Sequence, residues 1–202
     1  MSADHQLGVA VVTGGAAGIG EAIARRLSAD GFMIVIGDLD SARAEAVASD
    51  ISATGGEASG RHVDVSAAES VTALFEWLTD HLGRCDVLVN NAGIASTAPL
   101  SGLPLERWES TIAVNVTGAL LTTQHAVPLM RNRGRGRIVN ISSISGVRAS
   151  AGRIAYGTSK AAIIGLTRQL AIELATDNIT VNSVAPGPVD TDLTRAVHTA
   201  YS

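Results

Sequence analysis

Tyr156 and Lys160 lie four residues apart in the run Ala155-Tyr156-Gly157-Thr158-Ser159-Lys160, and Lys160 is the only lysine of a 202-residue chain. On an α-helix, residues at i and i+4 stack one turn apart, so an ammonium at that spacing stabilises a phenolate and makes the tyrosine a general acid/base. A solvated surface lysine beside an unrelated tyrosine would be spelled the same way. The rest of the chain has to decide between the two.

A second constellation sits near the start. An apolar run ends in Thr13-Gly14-Gly15-Ala16-Ala17-Gly18-Ile19-Gly20, and a helical pattern opens with Glu21, Ala22 and Ile23. Glycines let a backbone approach a pyrophosphate, and the helix start supplies unpaired N–H groups and partial positive charge, so a phosphate-bearing ligand is implied. The next run, Ile34-Val35-Ile36-Gly37-Asp38, ends in a carboxylate 18 residues past Gly20. That is where a dinucleotide fold expects an acid to grip the adenosine ribose. A carboxylate there repels a 2′-phosphate, and positions 15 to 17 and 39 hold no arginine or lysine to offset it, which points to NAD over NADP. The competing expectation is that Asp38 caps a helix beginning near Ser41.

These groups need a scaffold that brings strand ends together. Short β-rich runs alternate with helical patterns: Val9 to Thr13, Gly18 to Asp30, Met33 to Asp38, Ser41 to Thr54, Arg61 to Val65, Ala67 to His81 and Val87 to Asn90. A helix from about Leu105 to Met130, a strand from Arg137 to Ile141, a helix from about Arg153 to Thr176 and a strand from Thr180 to Ala185 follow. Six strands alternating with five helices predict a three-layer α/β fold, a doubly wound parallel sheet with right-handed crossovers, in one domain spanning 1–202. In the two late helices Trp108, Ile112, Val114, Val116, Leu120 and Leu121, and Ile163, Ile164, Leu166, Leu170, Ile172 and Leu174, cover more than one face. The extra face predicts a homodimer or homotetramer built through residues 105–130 and 153–176, unless the chain's own loops cover it.

Composition removes other classes. The net charge of −4 opposes nonspecific nucleic-acid binding, and the basic cluster Arg131, Arg133, Arg135 and Arg137 lacks interleaved aromatics. His5, His62, His81, His125 and His198 show no metal-ligand spacing with one another or with Cys85, so no metal site is expected. Cys85 is the sole cysteine, which excludes an internal disulfide and fits a reducing compartment. No basic start followed by an apolar stretch opens the chain, and no apolar run approaches membrane-spanning length. A soluble, cytoplasmic protein is expected.

Taken together, Thr13 to Gly20, Asp64-Val65, Asn90-Asn91-Ala92-Gly93, the set Asn115, Ser143, Tyr156 and Lys160, and Pro186-Gly187-Pro188-Val189-Asp190-Thr191 resemble the short-chain dehydrogenase/reductase family in order and spacing. The resemblance spans nearly every residue from Val9 to Thr194 and implies a Rossmann-like fold and hydride exchange between NAD and a secondary alcohol or ketone. It implies that Gly14, Gly18, Ile19 and Gly20 meet the pyrophosphate, that Asp64 bonds the adenine amino group, and that Val65 lines its ring. Asn91, Ala92 and Gly93 would run along the cofactor ribose, and Pro186, Gly187, Val189 and Thr191 would clamp the nicotinamide end. In the catalytic tetrad it implies, Tyr156 exchanges the proton, Lys160 supplies charge and holds the nicotinamide ribose, Ser143 orients the substrate oxygen, and Asn115 binds a water linking the lysine to solvent. Ser142 and Ser145 stand nearby as alternatives to Ser143.

The family continues past Thr191 through a substrate-covering segment, a further helix and a seventh strand, whereas this sequence stops at Tyr201-Ser202. The chain is therefore read as lacking the final lid helix and seventh strand, either as a fragment or as a natural truncation. Two functions follow: an NAD-dependent oxidoreductase of a small alcohol or ketone, or a non-catalytic NAD-binding protein that keeps the fold. The glycine spacing disfavours a sugar-nucleotide epimerase of the extended type. Ile94, Ser96, Arg148 and Arg153 are the candidates for flanking a substrate pocket.

Overall fold

The computed structural model describes residues 7–191 and Arg195. His5, His198, Thr194, Tyr201 and Ser202 lie outside the described residues. Six strands, β1 (Gly8–Thr13), β2 (Phe32–Asp38), β3 (Ala58–His62), β4 (Val87–Asn90), β5 (Gly136–Ile141) and β6 (Ile179–Val184), form one sheet in the order β3-β2-β1-β4-β5-β6. Every pairing is parallel. The chain builds outward from β1 to β3, then returns to β4 on the other side of β1. The carboxyl ends of β1 and β4 thus border the crevice where strand order reverses.

Alternation along β1 explains the three layers. Val9 and Val11 point into one core with Val35, Leu88 and Ile138. Its helical side comes from α3 (Ala68–Leu82) and α5 (Gly118–Asn132), through Leu74, Leu78 and Met130. Ala10 and Val12 point the opposite way with Ile34 and Ile36, against Ala24 of α1 (Gly18–Ala29) and Val47 and Ile51 of α2 (Ser41–Ala53). A strand buried on both faces needs a continuous apolar run, and that run is what made β1 readable.

Three elements differ from expectation by more than one residue at an end or within. β3 runs from Ala58 to His62, not from Arg61 to Val65, and pairs Ile34↔Ala58 through Asp38↔His62. Pairing stops at His62 because β2 itself ends at Asp38, and Gly60 in the middle of β3 lies on the backbone of α2, where an added Cβ would come within 2.5 Å of the Ala44 carbonyl carbon. Val63 and Val65 are buried all the same, in the segment after the strand. The helix expected over 105–130 is α4 (Leu105–Ile112) followed by a π-helical turn, Ala113–Thr117, before α5. Gly118 packs against Val65, whose side chain an added Cβ would meet at 2.8 Å, so helix and loop meet closely where the widened turn ends. The helix expected over 153–176, α6, spans Ile154–Glu173.

The apolar faces of the late helices divide. Ile163 and Leu174 are buried, but Ile172 is 79% exposed and Leu120 38% exposed. The chain's own loops leave part of that second face open. Two arginines of the cluster are engaged locally: Arg131 pairs with Asp177 at 2.7 Å, and Arg137 donates to the Gly136 carbonyl at 2.7 Å.

Candidate active site

One cavity of about 640 Å³ opens along the carboxyl ends of the strands. Gly14, Gly18, Ile19, Asp38, Asp64, Val65, Asn91, Ala92, Gly93, Ser143, Tyr156, Lys160, Pro186, Gly187, Val189 and Thr191 all line it. Gly20 and Asn115 do not reach its wall. Both act from behind it.

The glycine turn is held by its neighbours. Gly14 (φ +62°) and Gly18 (φ +55°) adopt the left-handed conformation that favours glycine. Gly20 lies so close to the turn that an added Cβ would strike the Gly14 carbonyl oxygen and Asn91 Nδ2. Asn91 Nδ2 donates to the carbonyls of Thr13 (3.1 Å) and Gly14 (2.8 Å), and the Thr13 hydroxyl accepts the Asn91 and Ala92 N–H groups at 3.2 Å each. The Asn91 side chain therefore braces the turn, while its backbone and Ala92 and Gly93 face the cavity. Thr13 opens the glycine motif in the sequence, but its bracing role is visible only here, at the end of β1 beside the crevice.

Asp38 Oδ2 accepts the Ala16 N–H at 3.0 Å, and Oδ1 accepts from Asp40 N at 3.1 Å. The helix cap expected as its alternative role belongs to Asp40, whose Oδ1 accepts from Arg43 N at 3.0 Å at the start of α2. Asp38 is thereby left lining the cavity. Asp64 accepts both the hydroxyl (2.6 Å) and the N–H (2.9 Å) of Ser66, and these bonds hold its carboxyl below the usual range. Leu39, 67% exposed, joins the lining beside Asp38 and was not singled out in the sequence.

At the other end, α6 presents Tyr156 and Lys160 together, with the ammonium nitrogen 5.8 Å from the phenol ring centroid. Lys160 is 5% exposed. Its Nζ donates to the Ile141 carbonyl at 2.8 Å, and burial pulls its pKa down from 10.5 to about 8. At neutral pH it is still mostly an ammonium with two N–H donors to spare. Gly93 faces it closely: a Cβ there would sit 3.4 Å from Lys160 Nζ and 3.2 Å from Asn115 Oδ1.

Asn115 sits in the π turn. Its Oδ1 accepts the Ile94 N–H at 2.8 Å, and its Nδ2 donates to the Ile94 carbonyl (3.0 Å) and to Ser159 Oγ (2.9 Å). Ser159, fully buried, donates its own hydroxyl hydrogen bond to the Tyr156 carbonyl at 2.7 Å. A polar chain from the Ile94 loop to the helix turn that carries Tyr156 results. Ser159 was also missed; its spacing, three after Tyr156 and one before Lys160, was the available clue.

Ser142, Ser143 and Ser145 all line the cavity, but their hydrogen bonds differ. Ser142 Oγ is buried and committed to the Lys160 carbonyl at 2.7 Å. Ser143 lines the cavity and its Oγ accepts from Ser145 N at 3.1 Å, which orients it and leaves its own proton to donate. Of the other flanking candidates, Ile94 and Arg153 line the cavity, Ser96 is buried against Thr111 (3.3 Å), and Arg148 is exposed outside the lining. Pro186 is tied to this end through its carbonyl, which accepts from Ile144 N at 2.9 Å, and Thr191 lies over Gly18.

Among the described residues no group of three or more His, Cys, Asp or Glu side chains is placed to hold a metal ion. No described helix is long and apolar enough to cross a membrane.

Known proteins resemble this chain in sequence and fold. A family described as short chain dehydrogenase matches residues 8–202. A 3-oxoacyl-[acyl-carrier-protein] reductase of Synechocystis is 42% identical over 187 residues, which cover 92% of this chain and 76% of that protein. A D-beta-hydroxybutyrate dehydrogenase of Cupriavidus necator is 40% identical over 188 residues, covering 91% and 71%. Among solved structures, a short-chain type dehydrogenase/reductase from Mycobacterium marinum superposes with a TM-score of 0.92 at 34% identity, over 97% of this chain and 78% of that one. A Beutenbergia cavernae structure with bound NADP at low occupancy gives 0.91 at 36% identity, over 96% and 77%. The chain belongs to the short-chain dehydrogenase family.

Proposed function

We propose that the chain is an oxidoreductase of secondary alcohols and ketones that prefers NAD and uses Tyr156 as its acid/base. The observation that carries this reading is the shared cavity itself, in which the glycine turn and Asp38 stand at one end and Ser143, Tyr156 and Lys160 at the other. The glycine turn fits a dinucleotide because Gly14 and Gly18 put bare backbone on the cavity wall while Gly14 and Gly20 pack tightly on Asn91 and Ala92, and the nicotinamide would supply the acceptor or donor of hydride. Asp38 takes the adenosine ribose hydroxyls, Asp64 and Val65 the adenine, and Pro186, Gly187, Val189 and Thr191 the nicotinamide end.

In oxidation, Tyr156 takes the proton of the substrate hydroxyl while Ser143 donates to the same oxygen and fixes its position. Lys160 supplies positive charge beside the phenol oxygen. Asn115 and Ser159 hold the helix turn on which Tyr156 stands. In reduction, Tyr156 returns the proton. Incubation with NAD and a panel of secondary alcohols is expected to produce NADH. Binding of NAD without turnover anywhere in the panel would support the non-catalytic reading instead.

The cofactor preference rests on one charge. With Asp38 in place, kcat/KM for NAD is expected to exceed that for NADP by about 100-fold, roughly the 2–3 kcal/mol of a phosphate–carboxylate repulsion at the edge of a site. Asp38→Asn keeps an oxygen to accept the Ala16 N–H and should shrink that ratio by about 30-fold, read as a fall in the NADP KM. Wild-type turnover faster with NADP would overturn the preference.

The exposed apolar residues of α5 and α6 support a homodimer or homotetramer through those helices. Light scattering at micromolar concentration should give a multiple of the 20.6 kDa chain mass, and a monodisperse monomer would remove the proposal.

A further inference from the structure

Arg153 breaks a local rule. It is the N-cap residue of α6, makes no side-chain capping bond, and brings a cation to the positive end of a helix whose first turn holds no acidic residue. A cation there opposes the helix dipole and so costs stability. No described carboxylate forms an ion pair with it. Its guanidinium carbon instead stands 5.4 Å from the centroid of the Tyr156 ring, in the wall of the active-site cavity. Half-buried there, the side chain has a well-anchored base: the Arg153 carbonyl accepts Gly157 N–H at 2.6 Å, and Ala98 N–H bonds the preceding Gly152 carbonyl at 2.9 Å.

The cavity is electrically divided. Its two lining carboxylates, Asp38 and Asp64, belong to the strand ends beside α2 and α3, whereas the α6 end carries Lys160 and Arg153 and no acid. From these observations we infer that Arg153 selects an anionic substrate: a short hydroxy acid or oxo acid whose carboxylate pairs with the guanidinium while its hydroxyl or carbonyl oxygen meets Tyr156. A planar guanidinium binds a carboxylate through two parallel hydrogen bonds, which fixes orientation as well as charge. The carboxylate takes no part in the bond changes. Arg153 is thus a specificity residue, and the inference rests on the oxidoreductase reading of the site.

The test uses 3-hydroxybutyrate and its neutral methyl ester, which share a carbon skeleton. With NAD, wild-type kcat/KM should favour the acid by about 100-fold. In Arg153→Gln that preference should shrink by about 30-fold, chiefly through KM for the acid, and Arg153→Lys should restore part of it. A second readout is independent of turnover. Calorimetric titration of acetoacetate into the NADH complex of Tyr156→Phe should show an affinity that falls at least about tenfold when Arg153→Gln is added. If neither substrate is oxidised yet this binding depends on Arg153, the oxidoreductase reading fails while the anion site stands. A wild-type preference near one, or carboxylate affinity unchanged by Arg153→Gln, overturns the inference.

Discussion

Tyr156→Phe is expected to lower kcat/KM for alcohol oxidation by about 1,000-fold while changing NAD affinity by less than about threefold. The substitution removes one oxygen from a ring held in the cavity wall and leaves the hydrogen bond from Ser159 to the Tyr156 backbone carbonyl in place. On the proposed mechanism the variant loses the group that takes the substrate proton, and positioned proton transfer contributes about 100- to 10,000-fold. Parallel turnover assays and calorimetric NAD titrations check both halves. Equal turnover in the variant would mean that another group moves the proton.

Lys160→Met produces the second large effect, in opposite directions for activity and stability. Holding an ammonium in a site that depresses its pKa from 10.5 to about 8 costs about 3 kcal/mol at neutral pH. Methionine removes that cost but leaves the Ile141 carbonyl without the lysine donor, a loss of about 1–2 kcal/mol. The cofactor-free variant should therefore be more stable by about 1–2 kcal/mol at pH 7, a rise of roughly 3–6 °C in Tm, and should turn over at least about 100-fold more slowly.

The pH dependence identifies the cause. Between pH 8 and 10.5 the unfolded lysine keeps a proton that the folded one has released, so wild-type stability rises with pH across that window. Below about pH 8 the full cost is present. The stability gap between variant and wild type should be widest near pH 7 and close as pH climbs toward 10.5. Thermal unfolding across that range checks it, and a gap independent of pH would assign the effect to packing.

Much of this was readable from the letters. β1 is buried on both faces and therefore spelled as an unbroken apolar run, and the glycine turn after it needs conformations only glycine adopts freely. The Tyr156–Lys160 pair was legible because helical spacing alone sets its geometry. β3 was misplaced because Val63 and Val65 look like strand residues, whereas pairing ends at His62, opposite Asp38, the last residue of β2. The π turn carries no compositional mark. Its Asn115 could be placed in the site by resemblance, but its bonds to Ile94 and Ser159 depend on a loop whose path the sequence does not specify. The bracing roles of Thr13 and Ser159 escaped for a similar reason, since a hydroxyl bonded to groups far along the chain looks like any other threonine or serine.

The central claim is that this cavity transfers hydride from a carbon seat beside Tyr156. The most direct measurement is stopped-flow nicotinamide absorbance with a secondary alcohol carrying hydrogen or deuterium at the carbinol carbon. The account predicts NADH formation with a primary isotope effect on the fast phase in wild type, and no fast phase in Tyr156→Phe. NAD that binds tightly while its absorbance never changes, with any alcohol or ketone offered, would contradict it.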